Sequence, residues 1–188
     1  AASTTVVQEV QDSGTAGNYI EFQGAYDTAT SLQTGETFFD GQNGNGYGLQ
    51  LNIKSFIRLN RINFSRYYWG LYFNNNSNAN EIQNITSLNN NSTSGLYLVS
   101  SYQNTFQSIA TINNTGAAAW ANGLILEGAD NQNFVLVREV SNNMGWGIFF
   151  YTGNHNIFRN VQNIRNNGEY AIYGQKYILP ICLRALRK

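Results

Sequence analysis

The sequence predicts an all-β fold, a parallel β-solenoid, on three observations. A Gly-apolar-x-apolar unit recurs at intervals of 22, 25, 28, 24 and 24 residues. A second unit, with apolar residues three apart, follows five of these copies. Asn, Gly, Ser and Thr fill the positions between, and these are poor helix formers. Short apolar runs broken by turn residues read as strands, and a fixed period near 24 reads as stacked coils. One coil cannot bury its apolar side alone, so stacking makes one continuous core.

The first unit is Gly48-Leu49-Gln50-Leu51, Gly70-Leu71-Tyr72-Phe73, Gly95-Leu96-Tyr97-Leu98, Gly123-Leu124-Ile125-Leu126 and Gly147-Ile148-Phe149-Phe150, with a weaker sixth copy at Ala171-Ile172-Tyr173-Gly174. Period-two alternation points Leu49, Leu71, Leu96, Leu124, Ile148 and Ile172 inward as one column. It points Gln50, Tyr72, Tyr97, Ile125, Phe149 and Tyr173 outward. The second unit is Phe56/Leu59/Ile62, Ile82/Ile85/Leu88, Phe106/Ile109/Ile112, Phe134/Val137/Val140 and Phe158/Val161/Ile164. Asn80, Asn104 and Asn156 (with Gln132) precede it by two residues. Asn63, Asn89, Asn113, Asn142 and Asn166 follow it. Such amides are expected to stack in structural columns and to tolerate left-handed corners. An insertion at 116–122 is expected to bulge at one corner. The chain divides into an arm or cap at 1–17, a β-helix of about six coils at 18–174, and a tail at 175–188.

Composition narrows the classes. The 188 residues hold 11 Lys+Arg against 11 Asp+Glu, and only 12% are charged. Such a chain lacks the basic surface that nucleic acid or an anionic membrane requires. Aromatic residues make up 14%, too many for a disordered chain. No apolar run approaches the roughly 20 residues of a membrane span. Cys182 is the sole cysteine, which excludes an intrachain disulfide and a cysteine metal cluster. The start at Ala1-Ala2-Ser3, without Met, and the low Lys and Glu suit an extracellular or cell-surface protein. Asn-x-Ser/Thr triplets begin at Asn63, Asn75, Asn84, Asn90, Asn91 and Asn113, but 29 Asn make chance matches common.

The pattern Asn-x-apolar-x-x-apolar-x-x-apolar-x-Asn followed by Gly-apolar-x-apolar resembles the right-handed parallel β-helix repeat of the pectate-lyase-like superfamily. The resemblance covers about residues 18–174, and Tyr19-Ile20-Glu21-Phe22 with Phe39-Asp40-Gly41-Gln42 resembles an early coil. It implies polysaccharide chemistry for some members, but it is specific for fold and not for function. The Asn-Thr-Asp, Asp-Asp and Gly-His-Gly motifs of polygalacturonase-like enzymes are absent, and Arg61-Ile62-Asn63 lacks the Lys of Arg-Ile-Lys. Calcium needs 6–8 oxygen ligands, and the acids are scattered. Glu127 and Asp130 form the tightest pair in the repeat, flanking a predicted turn. His155 is the only histidine and sits at a corner. Arg58, Arg138 and Arg159 occupy similar places and raise the idea of a basic stripe. No catalytic, metal or cofactor site is expected.

Aromatic residues give the strongest interaction signal. Tyr72, Tyr97, Phe149 and Tyr173 should line one face, with Trp69, Trp146 and Tyr170 clustered beside them. They could stack sugars, pack against another chain, or lie under a terminal tail. The leading expectation is a non-enzymatic extracellular structural protein that self-assembles into a filament or surface layer through solenoid ends, tails and the aromatic side. The competing expectation is a carbohydrate-active protein, either a lyase or hydrolase or a glycan-binding module. An adhesin or phage-spike fragment is a third.

Overall fold

The structure, a computed structural model, describes residues 7–89, 91–114, 121–165, 167–174 and 182–184. In chain order the strands begin β1 (Val7–Glu9), β2 (Ile20–Gln23), β3 (Tyr26–Asp27), β4 (Leu32–Gln33), β5 (Thr37–Asp40), β6 (Tyr47–Asn52) and β7 (Ile57–Asn60). They continue β8 (Ile62–Ser65), β9 (Trp69–Asn74), β10 (Glu81–Ile85), β11 (Leu88–Asn89), β12 (Ser94–Val99), β13 (Thr105–Asn113) and β14 (Asn122–Glu127). They end β15 (Asn133–Phe134), β16 (Val137–Ser141), β17 (Ile148–Thr152), β18 (Ile157–Arg159), β19 (Val161–Arg165), β20 (Ile172–Gly174) and β21 (Cys182–Arg184).

The chain winds as a parallel β-solenoid of about five turns, each near 24 residues, against the six coils expected. The first face is a seven-stranded sheet, ordered β1-β6-β9-β12-β14-β17-β20. The other strands, β3 and β4 excepted, form a twelve-stranded sheet that bends. One row of it holds β2, β7, β10, β15, β18 and β21, and another holds β5, β8, β11, β16 and β19. β13 runs through the bend and joins the rows. β3 and β4 form a separate antiparallel hairpin, which the repeat did not predict. Both β1, in the segment set aside as an arm, and β21, in the tail, pair in parallel with the body. No helix among the described residues is long and apolar enough to cross a membrane. The corner bulge expected at 116–122 falls mostly outside the described residues, as does Asn166.

The predicted columns of the first unit are in register. Leu49 faces Leu71, Leu71 faces Leu96, Leu96 faces Leu124, Leu124 faces Ile148 and Ile148 faces Ile172. Leu51, Phe73, Leu98, Leu126 and Phe150 stack beside them, almost fully buried. The second unit needs one correction. Leu59, not Phe56, faces Ile82, and Phe64 faces Leu88. Phe56 is instead a corner residue with φ +56°. With Leu59 as its start, the first copy lies 11 residues past Gly48, like most of the others. The column then runs Leu59, Ile82, Phe106, Phe134, Phe158, with the last three rings stacked at centroid distances of 4.6 and 4.4 Å.

Corners carry the polar structure. Asn80, Asn104, Gln132 and Asn156 are buried. Each side-chain carbonyl accepts the backbone N–H of the coil before: Ile57 N to Asn80 Oδ1 at 2.9 Å, Asn80 N to Asn104 Oδ1 at 2.9 Å, Asn104 N to Gln132 Oε1 at 3.2 Å, and Gln132 N to Asn156 Oδ1 at 2.9 Å. The amide nitrogens donate to main-chain carbonyls at Lys54, Ser77, Ser101 and Ala129. A residue with positive φ precedes each rung: Ala79, Gln103, Asn131 and His155. This left-handed step turns the chain and aims the next side chain inward.

A second ladder closes another corner. Its members are Asn91, Asn114, Asn143 and Asn167. The sequence placed that column at Asn89, Asn113 and Asn142. Asn89 does face Asn113 and accepts its N–H at 3.1 Å, but the buried ladder runs one or two residues later, and this is a correction. Asn142 is the exposed left-handed residue (φ +55°) that points Asn143 inward. Asn63 is also misplaced as a corner residue. It lies in β8, buried, and its Oδ1 accepts the N–H groups of Thr86 and Ser87. The ladder explains the repeated glycine. A Cβ at Gly123 would lie 2.5 Å from Gly147 O and 3.0 Å from Asn143 Nδ2, so the space is filled.

Candidate functional site

The outward residues of the first sheet form two parallel rows. One is Gln50, Tyr72, Tyr97, Ile125, Phe149 and Tyr173, each facing the next. The other holds Tyr47, Trp69, Ser94 and Asn122, each facing the next, with Trp146 and Tyr170 in the coils that follow. Strand spacing puts successive rings about 4.8 Å apart, close to stacking distance.

The structure divides the seven predicted aromatic residues into two clusters. Trp69, Tyr72 and Tyr97 form the first, joined by Tyr47, which the repeat did not single out. Trp69 stacks on Tyr47 at 5.0 Å and on Tyr72 at 5.5 Å, and Tyr97 lies 5.3 Å from Tyr72. Trp146, Phe149, Tyr170 and Tyr173 form the second. Trp146 lies 4.4 Å from Phe149 and 5.0 Å from Tyr173, and Tyr170 stacks on Tyr173 at 5.6 Å. Tyr170 is exposed; the others are half-buried against one another.

Between the clusters the rows change character. Ser94 and Asn122 are small, and Ile125 is only 7% exposed despite its outward position. The result is a groove of about 510 Å³ lined by Trp69, Tyr97, Asn122, Ile125, Glu127, Trp146 and Phe149, together with Thr93 and Tyr151. Trp69 and Trp146 stand three coil steps apart, about 14 Å along the axis. Tyr151 enters because Glu127 faces Thr152, which leaves Tyr151 as the extra residue of a bulge.

Among the described residues, Glu127 is the one carboxylate of the groove lining. The Tyr97 hydroxyl donates to its Oε2. Burial foremost, then this bond to a carboxylate, holds the Tyr97 hydroxyl well above the usual phenol range. Burial raises Tyr72 as well. Trp69 Nε1 and Ser94 Oγ, adjacent in register, are buried and make no hydrogen bond among the described residues. Asp130 is not part of this site. It lies at the next corner, where it accepts the N–H of Asn154. Glu127 and Asp130 are therefore neighbours in sequence with separate partners.

Other candidates disperse. His155 is exposed and left-handed (φ +55°), ahead of the buried Asn156. The arginines do not make a stripe, which corrects that idea. Arg58 binds Glu81 at 2.8 Å and Glu21 at 3.7 Å. Arg159 reaches Asn133. Arg138 lies on the bent sheet beside a separate polar cleft of about 330 Å³ that includes Glu36 and Arg61. There Glu36 accepts from Asn63 Nδ2 at 3.1 Å and from Thr86 Oγ1 at 2.5 Å. Among the described residues no group of three His, Cys, Asp or Glu side chains is placed to hold a metal ion. Comparison of the chain with protein-family models, with curated proteins and with solved structures gives no match.

Proposed function

We propose that the chain is a glycan-binding module, which holds a neutral or amino-bearing polysaccharide in the groove between Trp69 and Trp146. One observation carries this reading: two aromatic stacks, each headed by a tryptophan, bracket an open groove across about 14 Å of a rigid sheet. Aromatic faces present apolar area against the C–H faces of sugar rings. The span suits a short stretch of linked sugars. Thr93 and Glu127 in the lining supply polar groups for sugar hydroxyls. A carboxylate without a basic side chain among the described lining residues disfavours uronate polymers. Rungs fixed by backbone pairing keep the platform rigid, so little ordering entropy is lost on binding.

Binding rather than cleavage is proposed because hydrolysis of a glycosidic bond ordinarily employs two carboxyl groups about 5–9.5 Å apart, and the described lining offers one. The extracellular location expected from composition is part of the same proposal. The test is calorimetry against neutral, amino and uronate oligosaccharides. Trp69→Ala and Trp146→Ala should each weaken binding about tenfold or more, since each removes an aromatic anchor. Equal binding by wild type and both variants, or preference for polyuronates, refutes the reading.

A further inference from the structure

A solenoid converts sequence position into axial position. The zero net charge therefore conceals an arrangement along the rod. Residues 1–53 contain six acids, Glu9, Asp12, Glu21, Asp27, Glu36 and Asp40, and neither Lys nor Arg. Residues 154–188 contain six bases against one acid, Glu169; Arg159, Arg165 and Arg184 lie among the described residues, and Arg165 pairs with Glu139. The coil behind the acidic end holds Lys54, Arg58, Arg61 and Arg66, and two of these engage terminal acids: Arg66 with Asp40, and Arg58 with Glu21. Glu9, Asp12 and Asp27 enter no salt bridge among the described residues; Glu9 and Asp12 are exposed and Asp27 is half-buried.

The acidic end is also open. A cavity of about 700 Å³ lies there, lined by Phe22, Phe39, Leu49, Leu59, Ile62 and Phe64, with Glu9 and Gln11 beside them. These apolar residues belong to the columns that run through the body, so the cavity is the core seen end-on. Around it β1, β2 and β5 end the rows. At the far end β20 and β21 are the last strands among the described residues, and Arg159 and Arg184 face each other in register. Both ends carry parallel strands of the same winding, so one end continues the ladder that the other leaves off. Unpaired edges of this kind invite another strand.

We infer that the acidic N-terminal coil of one molecule seats the basic C-terminal coil of a second copy. The two surfaces differ, so the contact is head-to-tail and does not close. Such contacts propagate as filaments. Charge sets the polarity of stacking, and the apolar mouth supplies the area. The aromatic groove stays free on the side of the rod, so assembly would multiply glycan sites along one axis.

The experiment is sedimentation velocity with negative-stain microscopy of the full chain, at about 0.1 M and about 1 M salt. Screening length falls from about 10 Å to about 3 Å between them. Rods should lengthen with protein concentration at low salt, and the association constant should fall about tenfold or more at high salt. The Glu9→Lys/Asp12→Lys variant should associate about tenfold less, and so should Arg159→Glu. Mixing these two defective variants should restore a heterotypic pair. Trp69→Ala should assemble like wild type, which separates this inference from the groove. Circular dichroism checks that each variant is folded. A monomer at every concentration in low salt, side-by-side association, or end variants that assemble normally would overturn it.

Discussion

Asn104→Ala tests whether the buried amide ladder holds the coils together. Asn104 Oδ1 accepts the backbone N–H of Asn80 at 2.9 Å and Asn80 Nδ2 at 3.0 Å, and Asn104 Nδ2 donates to Ser77 O at 2.9 Å. Alanine removes all three bonds. Asn80 Nδ2 keeps a partner in Lys54 O, but Asn80 N and Ser77 O lose theirs from this side chain. An orphaned buried polar group costs about 1–3 kcal/mol, so two cost about 2–6 kcal/mol. Typical domains have only about 5–15 kcal/mol in total. Urea titration followed by tryptophan fluorescence gives the difference from the midpoint shift at constant slope. Gln107→Ala is the control, since Gln107 is exposed on β13 and should change stability by less than about 0.5 kcal/mol. Asn104→Asp adds a second arm. It keeps an acceptor for Asn80 N but sets a carboxylate oxygen against Ser77 O. It should be worse than wild type at neutral pH and should recover in acid, where the carboxyl gains a proton to donate. An Asn104→Ala cost below about 1 kcal/mol, no larger than the control, refutes the reasoning.

Gly123→Ala should destabilise by about 1–3 kcal/mol, because its Cβ would meet Gly147 O at 2.5 Å and Val140 Cγ1 at 2.6 Å; an unchanged thermal midpoint would show that the coil yields freely. Alkaline titration should divide the tyrosines. Tyr97 and Tyr72 are held above the ordinary value of about 10, chiefly by burial. Unfolded chains lose these protons first, so the stability they contribute is full below about pH 10 and is lost as pH rises toward the folded value. Absorbance at the phenolate band should show a fraction that ionises only with unfolding, and Tyr97→Phe should reduce it. Ionisation of every tyrosine together near the ordinary value, with the fold intact, would count against the buried stack.

Much of this architecture was legible because parallel stacking repeats one environment every coil. Leu71, Leu96 and Leu124 see the same neighbours, so the same residue type recurs and the period shows. The misreadings have local causes. Phe56 sits three residues before Leu59 and matches it in polarity, and only its left-handed φ reveals a corner. The second ladder was placed early because Asn113-Asn114, Asn142-Asn143 and Asn166-Asn167 are pairs of identical type. Which member points inward depends on the turn before it, and composition does not encode that. The groove was half visible. Alternation gave the aromatic rows, and the interruption at Ile125 was plain. That Ser94 and Asn122 deepen the same gap required the register of two strands. Tyr47 precedes Gly48 just as Trp69 precedes Gly70, but it was missed because the outward residue of its own coil is Gln50, not an aromatic ring. The charge polarity was in the sequence throughout, but it acquires meaning only once chain order is known to be axial order.

The ladder bonds also bear on how the chain acquires its shape. They join residues 23, 24, 28 and 29 apart, and the strand pairs keep similar separations except at the start, where β1–β6 and β2–β7 span about 40. No part of the body waits for a distant segment. Closing each coil costs nearly the same loop entropy, since that cost grows only as the logarithm of length. The first coil has no template and is the slow event. Every later coil finds a finished edge to dock on. A ribosome adding about 5–20 residues per second delivers one such coil every 1–5 s or so, so the rod can be laid down in order while the chain is still being made.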